Sequence, residues 1–203
     1  MNLKWDRSTV KKSPEPVHYE DKDAHHTIVH AIQQYLPARG DTPLIVVCIG
    51  TDRSTGDALG PLVGRNLEKL SIPDTHVFGT LEKPVHAVNL EETLGMIRDS
   101  FRHPFVIGID ACLGRQKNVG MICVSKGPVL PGAGVNKRLI PVGDMNITGI
   151  VNVSGFMEYA VLQNTRLNIV MNLSEVISRC LHQAILSREQ YGFQAKLRIG
   201  QKF

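Results

Sequence analysis

The sequence predicts an α/β fold, a three-layer, mostly parallel twisted sheet with helices on both faces. Three observations carry this. Continuous apolar runs of strand length recur, clearest at residues 44–49 and 105–109, as in strands buried on both faces. Between them, apolar residues recur at three- and four-residue steps, the spacing of helices with one apolar face. Strand and helix alternate, and parallel strands need helical crossovers that cover the sheet.

Residues 1–22 hold six apolar members in no period, with Pro14 and Pro16 against any regular element, and read as a flexible N-terminal tail. Residues 23–203 read as a single domain. Ile28, Val29, Ile32 and Leu36 place a helix over 24–36, closed by Pro37 and Gly40. Residues 43–49 form the first strand. Leu59, Leu62, Val63, Leu67 and Leu70 mark the next helix, and 75–79 a second strand. Asn89 with Glu92 has the spacing of a capping box ahead of a helix carrying Leu90, Leu94, Ile97 and Phe101. The third strand, 105–109, ends directly in Asp110. Further strands are expected at 119–124 and 147–153, followed by two helices. The last helix sets Asn168, Asn172, Glu175, Arg179 and His182 against Leu167, Val170, Met171, Ile177, Leu181 and Ile185.

Composition excludes several classes. Forty-two per cent of the residues are hydrophobic and 21% charged, which rules out disorder throughout. No apolar run approaches a membrane span and no secretory signal is visible, so a cytoplasmic protein is expected. The net charge of +4 is too small for an obligate nucleic-acid binder. Seven basic residues against two acidic ones between Arg98 and Arg138 are either a solvated surface or a face for an acidic partner. Cys48, Cys112, Cys123 and Cys180 never form C-x-x-C and read as reduced thiols.

Ligands of such sheets bind beyond the carboxyl ends of the strands. The loop after the first strand carries Thr51, Asp52 and Asp57, the loop after the second carries His86, and the third strand ends in Asp110. Asp57 and Asp110 therefore share an edge. Asp57 has a structural alternative as helix N-cap, which would put Pro61 at N4; with Gly60 as N-cap, Pro61 takes the favoured N1 and Asp57 is uncommitted. Asp110 has an alternative as partner of Arg115. Two carboxylates in close approach repel, so that one keeps its proton as an acid while the other serves as base.

Other chemistries fit less well. Gly50 and Gly56 enclose five residues and precede an Asp, unlike a phosphate-binding P-loop, and G-x-G-x-x-G is absent. His26 and His30 lack the glutamate of H-E-x-x-H. Cys112 is either a nucleophile with His86 as base or a buried small hydrophobe. Ser54 and Ser154 have no G-x-S-x-G context. In the loop 131–138, Gly132 and Gly134 let backbone approach a ligand, and Lys137 and Arg138 can steer an acidic peptide.

Three segments in order, Asp57-Ala58-Leu59-Gly60-Pro61, Val106-Ile107-Gly108-Ile109-Asp110-Ala111 and Pro131-Gly132-Ala133-Gly134-Val135-Asn136-Lys137-Arg138, resemble the YyaC-type sporulation proteins. Those are relatives of the germination (spore) protease and, more distantly, of hydrogenase maturation endopeptidases. The resemblance implies a phosphorylase/hydrolase-like fold and a peptidase without metal or cofactor, with Asp57 and Asp110 catalytic. Thr51, Asp52, His86, Gly132, Gly134, Lys137 and Arg138 are then expected to bind a protein or peptide substrate, an acidic spore protein, in the cytoplasm of the sporulating cell or forespore. Two other readings stand beside it. One is a non-catalytic sporulation factor that binds an acidic protein. The other is a nickel-dependent maturation endopeptidase, whose third ligand would be a downstream His, although none occurs between His103 and His182. A homodimer is expected from the commonness of that state, with neither nucleic acid nor membrane as partner.

Overall fold

A computed structural model of the protein describes residues 14–38, 42–72, 74–132 and 139–200, the last twelve as backbone. The strands are β1 (Val17–His18), β2 (Leu44–Cys48), β3 (Thr75–Phe78), β4 (Phe105–Gly114), β5 (Met121–Lys126) and β6 (Met145–Val153). The helices are α1 (Ala24–Gln33), α2 (Leu59–Leu70), α3 (Leu90–Ser100), α4 (Glu158–Gln163) and α5 (Leu167–Gly200). The strands form one sheet in the order β1-β5-β6-β4-β2-β3. Pairing is parallel from β3 through β2 and β4 to β6, and antiparallel at β5 and β1.

β2 shows why three layers result. Leu44, Val46 and Cys48 enter the larger core with α1, α2 and α5, whereas Ile45 and Val47 join Leu90 and Ile97 of α3 in a second core. A strand apolar on both faces must be covered on both. Gly60 lets α2 seat on the sheet, because a β-carbon there would stand 2.1 Å from the Ile49 carbonyl oxygen.

Several expectations need correction. β4 does not end at Asp110 but runs ten residues to Gly114. Its outer part pairs with β6, Asp110 opposite Thr148 and Cys112 opposite Ile150, a long-range ladder with no local signature. In the segment read as a tail, Val17 and His18 pair with Ile122 and Met121, so the sheet begins before residue 23. Proline discourages helix there but is compatible with a short edge strand. The helix expected over 24–36 stops at Gln33. The capping box does not form: the Asn89 carboxamide turns back into the preceding loop, accepting from the His86 N–H (2.8 Å) and donating to the Pro84 carbonyl (3.0 Å). Leu167 and Met171, assigned to the apolar side of the last helix, are exposed.

Candidate active site

The cleft begins where β2 stops. The last β2–β4 pair is Cys48 with Ile109, and the Ile49 N–H donates to the Ile109 carbonyl at 2.7 Å. Beyond that point β4 has no neighbour on this side, so Asp110 leaves the core and enters an opening of about 350 Å³. The chain meanwhile turns at Gly50, whose φ of +147° and position suit only glycine, since a β-carbon would lie 1.9 Å from the Asp57 carbonyl oxygen. The Thr51 N–H donates to that same carbonyl at 3.2 Å, closing the loop and bringing Asp57 to the cleft.

Asp57 caps nothing. Ala58 is the N-cap of α2, with no side-chain capping bond, and Pro61 falls at N3, where the missing N–H is not needed. Neither capping arrangement considered for this segment holds, and Asp57 lies in a single turn of 3₁₀-helix, Gly56–Ala58, with its carboxyl in the cleft lining. Asp110 forms no ion pair with Arg115; its Oδ1 accepts the Ala111 N–H at 2.8 Å.

Both carboxyls are raised. Desolvation by the surrounding protein pushes Asp110 up to about 8, opposed by the Ala111 N–H and reinforced by the charge of Asp57. Desolvation also raises Asp57, partly offset by the Ser54 hydroxyl. Asp110 feels the charge of Asp57 as it ionises, and it holds its proton up to about pH 8.

Thr51, His86 and Gly132 line the same cleft as the two aspartates. Asp52 does not: in the tight Thr51–Ser54 turn its neighbours supply the wall and Asp52 is left exposed. Gly134, Lys137 and Arg138 lie outside the described residues. Cys112 reaches the cleft, but burial pushes its thiol up to about 12, and a neutral thiol is no nucleophile. The groups acting on the thiol are Thr148, Cys123 and Asp110, while the His86 Nδ1 accepts the Val88 N–H at 3.3 Å.

The residues missed in the sequence are Ser54, Arg53 and Tyr159. Ser54 is 5% exposed, and its hydroxyl makes no well-formed hydrogen bond among the described residues although Asp57 is close enough to feel it. Its spacing of three residues before Asp57 is the signal that was available. Tyr159 carried no such signal, because α4 reaches the cleft through a tertiary contact. The Asn152 carboxamide at the end of β6 donates to the Val161 carbonyl and Thr165 Oγ1, both at 3.2 Å, anchoring α4.

A nickel site does not fit this donor set. Among the described residues no three His, Cys, Asp or Glu side chains converge to hold a metal ion. The cleft supplies two carboxyls and one imidazole, Asp57, Asp110 and His86, and these do not converge into such a group.

The fold is that of a known protease. It is similar to the crystal structure of the [NiFe] hydrogenase maturation protease HycI from Thermococcus kodakarensis KOD1, with a TM-score of 0.51 at 15% identity, covering 76% of this chain and 97% of that one. The sequence gives the closer relationship: residues 16–180 match the family described as "Protein of unknown function (DUF1256)", and the chain belongs to that family. It is 51% identical over 174 residues to the "Uncharacterized protein YyaC" of Bacillus subtilis (strain 168), covering 86% of this chain and 85% of the relative. Among the described residues no helix is long and apolar enough to cross a membrane.

Proposed function

We propose that the protein is a peptidase that cleaves a protein substrate with the Asp57–Asp110 pair and without a metal. The observation that carries this reading is the shared cleft, which brings the two aspartates together and in which burial, reinforced by the charge of Asp57, raises Asp110 to about 8. Asp57, as carboxylate, takes a proton from a water molecule as its oxygen attacks the scissile carbonyl carbon. Asp110 donates its proton to the carbonyl oxygen. Collapse of the resulting tetrahedral species breaks the C–N bond, with the proton on Asp57 passing to the leaving amine and a hydroxyl proton returning to Asp110, which restores the starting carboxylate and acid. Thr51, His86 and Gly132 contact the substrate backbone. The likeness of fold to a maturation protease supports the reaction class. The YyaC relative in a Bacillus is in keeping with a role in sporulation, and the substrate of this reading is an acidic spore protein in the sporulating cell or forespore.

Incubation with acidic spore proteins, followed by intact mass, tests the reading. Discrete fragments are expected from the unmodified protein and none from Asp57→Asn or Asp110→Asn. Full cleavage by both variants overturns it.

A further inference from the structure

The described residues that line the cleft carry three side-chain hydroxyls, on Thr51, Ser54 and Tyr159. Two are already engaged. Thr51 Oγ1 accepts the Arg53 N–H at 3.3 Å and the Arg53 Nε–H at 3.5 Å, and the Tyr159 hydroxyl accepts from the Gln163 carboxamide at 3.0 Å. Ser54 differs from both, because it is only 5% exposed and its Oγ has no well-formed hydrogen-bond partner among the described residues. A hydroxyl taken out of bulk water and left unpaired is costly. Where no protein group serves, such a hydroxyl is paired by an ordered water.

The backbone fixes where that hydroxyl stands. The Ala58 N–H donates to the Ser54 carbonyl at 3.0 Å, so residues 54–58 make one helical turn, and Ser54 and Asp57, three positions apart, share the face that lines the cleft. The turn is seated tightly against α4, because a β-carbon at Gly56 would lie 2.7 Å from Leu162 Cδ2. The Asp57 carboxyl is close enough to feel the Ser54 hydroxyl without a well-formed bond between them. Two polar groups so placed beside an opening of about 350 Å³ provide what a held water needs, which is room and at least two partners.

We propose that Ser54 Oγ and the Asp57 carboxylate together hold the water molecule that attacks the scissile carbonyl, so that Ser54 is a positioning residue of the reaction. The proposal deepens the peptidase reading and rests on it for the reaction, though not for the water site. The water donates one O–H to Asp57 and the other to Ser54 Oγ, which leaves an oxygen lone pair free to approach the carbonyl carbon. As the new C–O bond forms, the first O–H breaks and its proton passes to Asp57, while the second hydrogen stays on the attacking oxygen. The carbonyl π pair moves onto its own oxygen, which takes the proton of Asp110. Ser54 forms no covalent bond and gives up no proton; it fixes the direction of attack.

A crystal structure of the full chain at atomic resolution reads the water directly. A water within about 3.2 Å of both Ser54 Oγ and an Asp57 carboxyl oxygen is expected, and it should be lost from Ser54→Ala. Initial rates on an acidic spore protein supply the second readout. Ser54→Ala is expected to lower kcat about 100-fold, the effect of a misplaced reactant, with KM within about twofold. Ser54→Thr, which keeps the hydroxyl, should recover most of that loss, and thermal melting shows whether either variant fails to fold; where one does, the water in the unmodified protein decides. A direct hydrogen bond from Ser54 to Asp57 with no water between them overturns the proposal. So does a kcat unchanged in Ser54→Ala, or an equal loss in a folded Ser54→Thr. The bridging water without cleavage by the unmodified protein leaves the water site standing and removes the peptidase reading; cleavage without the water does the reverse.

Discussion

The two halves of β4 have the same backbone and opposite character. From Phe105 to Ile109 the strand pairs with β2, joined from Ile107 onward by β6, and Ile107 and Ile109 are fully buried. From Asp110 to Gly114 it keeps β6 but has lost β2, and its side chains become partly exposed. The change comes from the neighbour, not from the strand. Where one partner stops short, the next residue of the longer strand is held rigidly by its remaining ladder yet faces an opening. A carboxyl placed there is fixed in position and starved of water, which is what raises its pKa.

The largest effects should separate the halves by kind. Asp110→Asn and Asp57→Asn are each expected to lower cleavage by about 10²–10⁴-fold, the range for loss of a positioned acid or base, read from initial rates on an acidic spore protein. The unmodified protein should lose activity as the pH rises through about 8, where Asp110 gives up its proton. In the inner half, Ile107→Ala should leave a cavity and cost ~3 kcal/mol of stability, measured by urea unfolding.

Asp110→Asn should at the same time stabilise the fold. The folded pKa of Asp110 lies above that of an unfolded Asp, so the folded state binds the extra proton and stability falls as the pH rises from about 4 to about 8. Removing the ionisable group relieves that loss. Allowing for contact with cleft water, a gain of ~2 kcal/mol, or about 5 °C in Tm, is expected at pH 8 and none at pH 4. Equal melting of the two proteins at pH 8 would break the contrast between the halves.

Ser54→Ala sharpens the comparison. Without the hydroxyl that opposes desolvation, the Asp57 carboxyl should titrate at higher pH than in the unmodified protein, visible by carbon NMR of its Cγ. The smallest effect is expected at Cys112→Ser, which should leave cleavage within about twofold because the buried neutral thiol does no chemistry.

Much of this was legible in the chain. The elements around 44–49, 59–70, 75–79 and 105–109 follow from periods of two and 3.6 and from continuous apolar runs, signals written within a few residues. That Thr51, Asp57, His86 and Asp110 lie at one end of the sheet was legible too, because parallel strands put their carboxyl-end loops on one edge, whereas Gly132 follows the antiparallel β5 and is not placed by that rule. Other features carried no local signal. The length of β4 depends on Thr148 and Ile150 some forty residues away, and the strand at Val17 and His18 exists through its pairing with Met121 and Ile122. Asn89 chose the loop at His86 over the helix end, a competition between two partners at equal reach.

By itself, then, the sequence determined the layer architecture, the edge that carries the cleft and the two carboxyls on it, since each depends on residue type and short-range spacing. Tertiary structure alone decided that β2 stops at Cys48 while β4 continues, that Asp57 is released from capping, that Ser54 is buried beside it, and that Val88 and Tyr159 line the same cleft. Those depend on which segments meet, and a chain's local pattern does not contain the identity of its distant neighbours.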